Sequence, residues 1–320
     1  MFKINIPIFF LTDYGTKDEY VGVVKSVILS INQDAKIIDI THEIPSQDIF
    51  SAAFIIDKIL KYLPQKSIIL AVVDPGVGGK RKPIVGESEI EFPKRVKKNI
   101  FFVGPDNGIF TPIFLQAKHY KVFEINAERI LEEAKSYGLF LEKSNTFHGR
   151  DMFAPACALV SKNPEIIKEI SLKEEVLPVK LELPKPQIKI IEDKEAEKER
   201  SEEKEKGKEI IGHIIHIDKF GNLITNIPKE YLEGSRIKEI EILRAKLKEK
   251  KSQLRTNKSE KRIKIKAPLV SSYDSVKKEK PLLIIGSYNT LEISVRDGSA
   301  EKKFGAKRFD IVKIKLMKHE

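Results

Sequence analysis

From Ile8 to about Asn163 the chain alternates short β-branched or aromatic runs with longer stretches of helical period, and no other feature restricts its fold so tightly. The runs are IPIFFL, AKIIDI, SIILAVV and NIFFVG, with helical patterns from Glu19 to Asn32 and near Ile49 to Leu63. Strands this apolar face no water, so the pattern predicts an α/β domain with a mainly parallel sheet flanked by helices. Such sheets present ligands beyond the carboxyl ends of their strands, where Asp13, Asp74 and Asp106 fall.

After Pro164 the rhythm is lost. IIGHIIHID, GNLITNI, RIKIKAPLV, PLLIIGS, LEISVR and DIVKIKL are short strands parted by turn residues, which predicts a smaller C-terminal all-β, barrel-like domain. A chain of 320 residues suits two cored domains. The expected division is an α/β domain over residues 1–183, a charged linker over 184–211 and a β-barrel over 212–320. Two charged insertions interrupt it: Glu192 to Glu209 lacks apolar period, and Leu243 to Lys261 swells the barrel.

Composition serves mainly to exclude. One cysteine leaves no internal disulfide framework, and abundant Lys and Glu without Trp suit a cytoplasmic protein, as in thermophiles. FKINIPIFFL runs directly into the polar TDYGTKDE, and no segment reaches the roughly 18 apolar residues of a membrane helix, so no membrane partner is expected. The net charge of +11 gathers in lysine-rich stretches such as Lys246 to Lys266, without interleaved aromatics, and reads as solvated surface rather than a nucleic-acid platform.

The chemistry lies in loops at the ends of the apolar runs. In VVDPGVGGKR a buried strand delivers Asp74 to a glycine-rich turn with Arg81 close behind; a tight turn with Arg81 in solvent fits the same residues. In TFHGRD, His148, Arg150 and Asp151 crowd before the helical run MFAPACALVSK, where Asp151 also suits an N-cap and Cys157 reads as core. Asp13, Asp18, Glu19 and Tyr20 surround Gly15, an arrangement suited to a ribose diol because a carboxylate accepts two hydrogen bonds in fixed geometry; Asp18 is also expected to cap the helix that follows. Asp106 and Asn107 read as a turn. In Asp218-Lys219-Phe220-Gly221-Asn222 an aromatic face beside an amide suits a purine, and a hairpin corner with Phe220 packed into the barrel suits it equally. There is no HxxxH or CxxC pair, so no metal site is expected.

TDYGTKDEYVG, VVDPGVGGKR, FVGPDNG, FHGRDMFAPA, DKFGNLITNIP and GSYNTLEISVRDGSA, spread from Phe9 to about Ile314, resemble the motifs of the S-adenosyl-L-methionine (SAM) hydrolases that form adenosine, the SAM hydroxide adenosyltransferases. These are relatives of fluorinating and chlorinating enzymes acting on the same substrate. The resemblance implies that Asp74, Arg81 and His148 act on a water, a trio the halogenating relatives lack. It implies ribose contacts at Asp13, Asp18, Glu19 and Tyr20, and methionine contacts at Asp218 and Ser287. Adenine contacts fall at Asn222 and the backbone from Val295 to Asp297. It further implies a homotrimer with active sites at subunit interfaces, SAM as substrate and no cofactor. Lys82 to Asn99 is longer than this pattern needs, and Tyr288 has no assigned counterpart. Taken without the resemblance, the Asp-rich loops also fit a phosphohydrolase holding Mg²⁺ or Mn²⁺, or a non-catalytic nucleoside or SAM binder.

Overall fold

The computed structural model describes residues 5–192, 206–244 and 262–318, and the chain divides into two compact units, Met1–Glu182 and Leu183–Glu320. The first unit is built on a seven-stranded sheet. Its strands are β1 (Ile8–Thr12), β2 (Ile37–Thr41), β3 (Lys66–Val72), β4 (Pro83–Phe92), β5 (Val96–Pro105), β6 (Ala117–Ile125) and β7 (Ser171–Glu175), in the order β2-β1-β3-β5-β4-β6-β7. β2, β1, β3 and β5 are mutually parallel; β4 is antiparallel to β5 and β6, so β6 rejoins their direction while β7 reverses it. The sheet is therefore mostly parallel.

Alternation along β1 explains the two layers of helix. Ile8 and Phe10 pack with α1 (Tyr20–Ile31) through Val24 and Ile28, and with the buried helix Ala154–Lys162. Leu11 points the other way, onto Ala52 and Ile56 of α2 (Ile49–Ile59). Each such buried Leu, Ile or Phe contributes about 1.5–3 kcal/mol, so the two clusters hold the sheet between its helices.

Lys82 to Asn99, the stretch longer than the family pattern needs, forms β4, the turn after it and the start of β5, a hairpin paired from Pro83–Pro105 to Phe92–Val96. Its alternating glutamates disguised a strand whose other face is buried. The turn carries Lys94 and Arg95 at positive φ.

The second unit curls a nine-stranded sheet into a half-barrel. Its strands are β8 (Gln187–Glu192), β9 (Lys206–Ile217), β10 (Leu223–Pro228), β11 (Ser235–Leu243), β12 (Arg262–Ile265), β13 (Leu269–Val270), β14 (Pro281–Ile285), β15 (Thr290–Val295) and β16 (Ile311–Lys318). All pairings are antiparallel except β13 with β14. Ile210, Ile214, Leu223, Ile293 and Ile314 fill its concave core. The expected linker over 184–211 thus carries β8 and the start of β9, because the short alternation of QIKIIE was hidden by charged neighbours. The rest of the first charged insertion, 193–205, and residues 245–261 of the second lie outside the described residues.

Candidate active site

β3 ends at Val72, and Val73 leads to Asp74 at the wall of a cleft of about 390 Å³ in the first unit. Arg81 returns to this carboxylate through a glycine turn: its Nε donates to both Asp74 oxygens at 2.9 Å, and its Nη2 donates to Oδ2. The reading with Arg81 in solvent is overturned; the two side chains are 9% and 6% exposed. The guanidinium also lies over the Phe153 ring at 5.3 Å. The turn packs so closely on the next loop that a Cβ at Gly78 would strike the Asn145 carbonyl.

The same Nη2 stands 2.7 Å from His148 Nδ1. A guanidinium only donates, so Nδ1 is an acceptor and the neutral imidazole carries its proton on Nε2. That atom is buried and has no partner among the described residues. Burial first, and the Arg81 charge second, depress the pKa of His148 below the ordinary histidine value, against the pull of Asp74. The trio is therefore an Asp74–Arg81 salt bridge locked to a neutral histidine.

His148 begins a five-residue π-helical turn, Gly149–Phe153, which runs into the helix Ala154–Lys162. Asp151 does not cap this helix. It is fully buried, accepts from Ser144 N at 2.8 Å and from Arg150 Nε at 2.6 Å, and so ties the preceding loop to the turn. Cys157 is core, and burial pushes its thiol pKa up.

β1 brings Asp13 and Tyr14 to the same cleft, which Tyr20 and His148 also line. Asp13 Oδ2 accepts from Gln47 N at 2.8 Å. Tyr14, Tyr20 and Phe147 form an aromatic cluster with ring centroids 5.3–5.9 Å apart. Tyr14 and Phe147 were not singled out in the sequence; the signal was an aromatic directly after Asp13 and directly before His148. Burial, then the charges of Asp13 and Asp74, push the Tyr14 phenol upward, so it stays protonated. Asp18 and Glu19 are exposed and outside the residues lining the cleft. Asp18 is no cap either: the helix starts after Glu19, already in helical conformation and without a side-chain cap bond. Asp106, at the end of β5, instead accepts from Val179 N at 2.8 Å, and burial raises its pKa.

In the second unit a cavity of about 400 Å³ is lined by Asp218, Ser287, Tyr288, Tyr273 and Glu292. Asp218 Oδ1 accepts from Phe220 N and Asn222 N, both at 2.9 Å, and Oδ2 from Asn222 Nδ2 at 3.0 Å. The segment is thus a hairpin corner between β9 and β10, but Phe220 is 64% exposed rather than packed into the barrel. The corner is joined to the following segment by Glu301 N donating to the Gly221 carbonyl at 2.9 Å. Val295 is buried at the end of β15 and Asp297, at positive φ, pairs with Lys278 at 3.4 Å; neither lines the cavity. Glu292, missed in the sequence, is buried and accepts from the Tyr273 hydroxyl and from Ser294 Oγ. Among the described residues no three His, Cys, Asp or Glu side chains gather as a metal ion requires.

Residues 8–169 match the model of the SAM hydroxide adenosyltransferase N-terminal domain, and 212–313 that of the SAM hydroxide adenosyltransferase C-terminal domain. A relative from Methanocaldococcus jannaschii named (R)-S-adenosyl-L-methionine hydrolase is 33% identical over 95% of this chain and 93% of its own. Another of that name from Thermus thermophilus is 30% identical over 94% and 96%. An uncharacterized conserved protein from Thermotoga maritima superposes with a TM-score of 0.70 at 29% identity, covering 96% of this chain and 99% of its own.

Proposed function

The chain belongs to the SAM hydroxide adenosyltransferase family, and from that membership we infer that it is an enzyme hydrolysing S-adenosyl-L-methionine to adenosine and L-methionine. The observation that carries the reading at the level of chemistry is that Arg81 joins Asp74 to His148, and that both of these line one cleft with Asp13.

Water attacks C5′ of the substrate; the C5′–O bond forms as the C5′–S bond breaks, and its electrons leave with sulfur as neutral methionine. Making hydroxide beforehand is too costly. Water at a pKa of about 15.7 and a carboxylate at about 4 differ by about 12 units, or roughly 16 kcal/mol. The proton therefore leaves with or after attack, when the oxygen has become strongly acidic and even an arginine-bound carboxylate suffices. In this mechanism Asp74 accepts that proton. His148, neutral, accepts from Arg81 at Nδ1 and so fixes the guanidinium, and through it the carboxylate, beside the attacking water. Arg81 holds both in line.

Asp13 and Tyr20, with Asp18 and Glu19 at the head of α1, take the ribose diol. Asp218 and Ser287 take the methionine end, while Asn222 and the backbone from Val295 to Asp297 take the adenine. The reading extends to a homotrimer whose active sites lie at subunit interfaces, to work in the cytoplasm of a thermophile, and to catalysis without metal or organic cofactor.

Incubation with SAM followed by chromatography tests the function. Adenosine and methionine should appear in equal amounts, at a rate unchanged by a chelator. Loss of activity with the chelator would favour a metal-dependent hydrolase, and tight adenosine binding without product a sensor.

A further inference from the structure

We propose that His42 and Thr12, neither of which lines the cleft, are positioning residues that hold the loop carrying Asp13 and Tyr14 in its substrate-binding form; the inference rests on the SAM-hydrolase reading. Both sit at strand ends. β1 closes at Thr12 and its neighbour β2 closes at Thr41, so His42 emerges beside the first residues of the loop. The imidazole is 5% exposed and lies edge-on to Phe10, centroids 4.7 Å apart.

Two bonds of its own and one made through Thr12 tie this histidine to the loop. His42 Nδ1 meets Thr12 Oγ1 at 2.9 Å, and the same oxygen accepts from Tyr14 N at 3.2 Å. The His42 carbonyl accepts from Gly15 N at 2.7 Å. On the far side Nε2 is 3.2 Å from Asp39 Oδ1, close enough for the carboxylate to attract a ring proton although the pair falls short of a hydrogen bond. Asp39 in turn holds Lys25 at 2.6 Å. The carboxylate beside Nε2 favours the tautomer protonated there, which leaves Nδ1 to accept from the Thr12 hydroxyl. Every group then has one role, and the Tyr14 amide is fixed by an oxygen whose own proton is already committed.

The segment that follows His42 closes the clamp from the same side. Ile44 N donates to the Thr12 carbonyl at 3.4 Å, Thr16 Oγ1 donates to Glu43 Oε1 at 3.1 Å, and Gln47 N donates to Asp13 itself. A histidine kept only to satisfy the core would require no such series of contacts with consecutive residues of a binding loop. A buried polar chain of this kind selects one arrangement rather than adding bulk stability.

The test compares SAM turnover of Thr12→Val and Thr12→Ser. Valine keeps the buried shape and loses the hydroxyl, whereas serine keeps the hydroxyl. Expected is a KM for SAM raised about 10-fold in Thr12→Val with kcat changed less, and a KM within about 2-fold of wild type in Thr12→Ser. A wild-type KM in Thr12→Val, or equal impairment in both variants, overturns the inference. Should Thr12→Val fail to fold, His42→Asn and His42→Leu ask the same question, because the asparagine amide can occupy the place of Nδ1; equal KM values in that pair overturn it. Absence of adenosine from the wild-type protein would instead overturn the hydrolase reading, and this inference with it.

Discussion

Arg81 bridges Asp74 and His148 with a single nitrogen: Nη2 donates to Asp74 Oδ2 and stands 2.7 Å from His148 Nδ1. Lysine has a point charge without the fork, so it can neutralise Asp74 but cannot hold both partners in fixed directions. Arg81→Lys should therefore cost about 100-fold in kcat, and Asp74→Asn about 100- to 10,000-fold, with smaller changes in KM. Initial rates of adenosine formation measure both; near-normal turnover in the pair of variants would remove the trio from the mechanism.

The depressed pKa of His148 sets the direction of pH effects. Activity should be level at neutral and alkaline pH, and fall as acid protonates the ring and turns Nδ1 from acceptor to donor against Arg81. Stability follows the same sign. Once pH drops below about 6.5 the unfolded chain binds the proton first, so stability is lost as pH falls toward the lower folded value. His148→Gln should lose this component, as read by thermal unfolding between mildly acidic and neutral buffer.

Gly149 lies against the Tyr14 hydroxyl, and a Cβ there would strike that oxygen. Gly149→Ala should push Tyr14 aside and lower kcat/KM by about 10-fold or more. Adding Tyr14→Phe removes the struck atom. If the double variant is no better than Gly149→Ala alone, after correction for Tyr14→Phe by itself, the two positions do not interact as described.

Asp151 is buried with two donors, one of them a backbone amide across the loop. Asp151→Ala leaves Ser144 N without its acceptor and should destabilise the protein by about 2–4 kcal/mol. Chemical denaturation would measure it. Loss of activity at temperatures where the variant remains folded would reveal that the loop also sets the position of His148.

Much of the first unit could be read before any coordinates. β1, α1 and β3 have strong periods, and the loops after β1 and β3 supplied Asp13 and Asp74 at the expected strand ends. What stayed hidden has physical reasons. β4 carries glutamates on one face and was not among the apolar runs picked out as strands, and β8 was masked by the charge around it. Asp18 seemed a natural cap, yet the backbone is already helical at Glu19 and no side chain caps it. The contact of Arg81 with His148 joins residues 67 apart in sequence, a distance that no local pattern encodes. Residue type suggested a group of that chemistry; only the fold assigned the histidine tautomer.

The five-residue π turn at Gly149–Phe153 adds one residue to the ordinary helical spacing just after His148. Each residue of an α-helix advances about 100° around the axis. Deleting a single position in that turn would relax it to regular period and swing the imidazole roughly a quarter of a revolution away from the guanidinium. The trio is thus sensitive to chain length at this point as well as to side-chain identity, and a shortened variant with all three residues intact would still be misassembled.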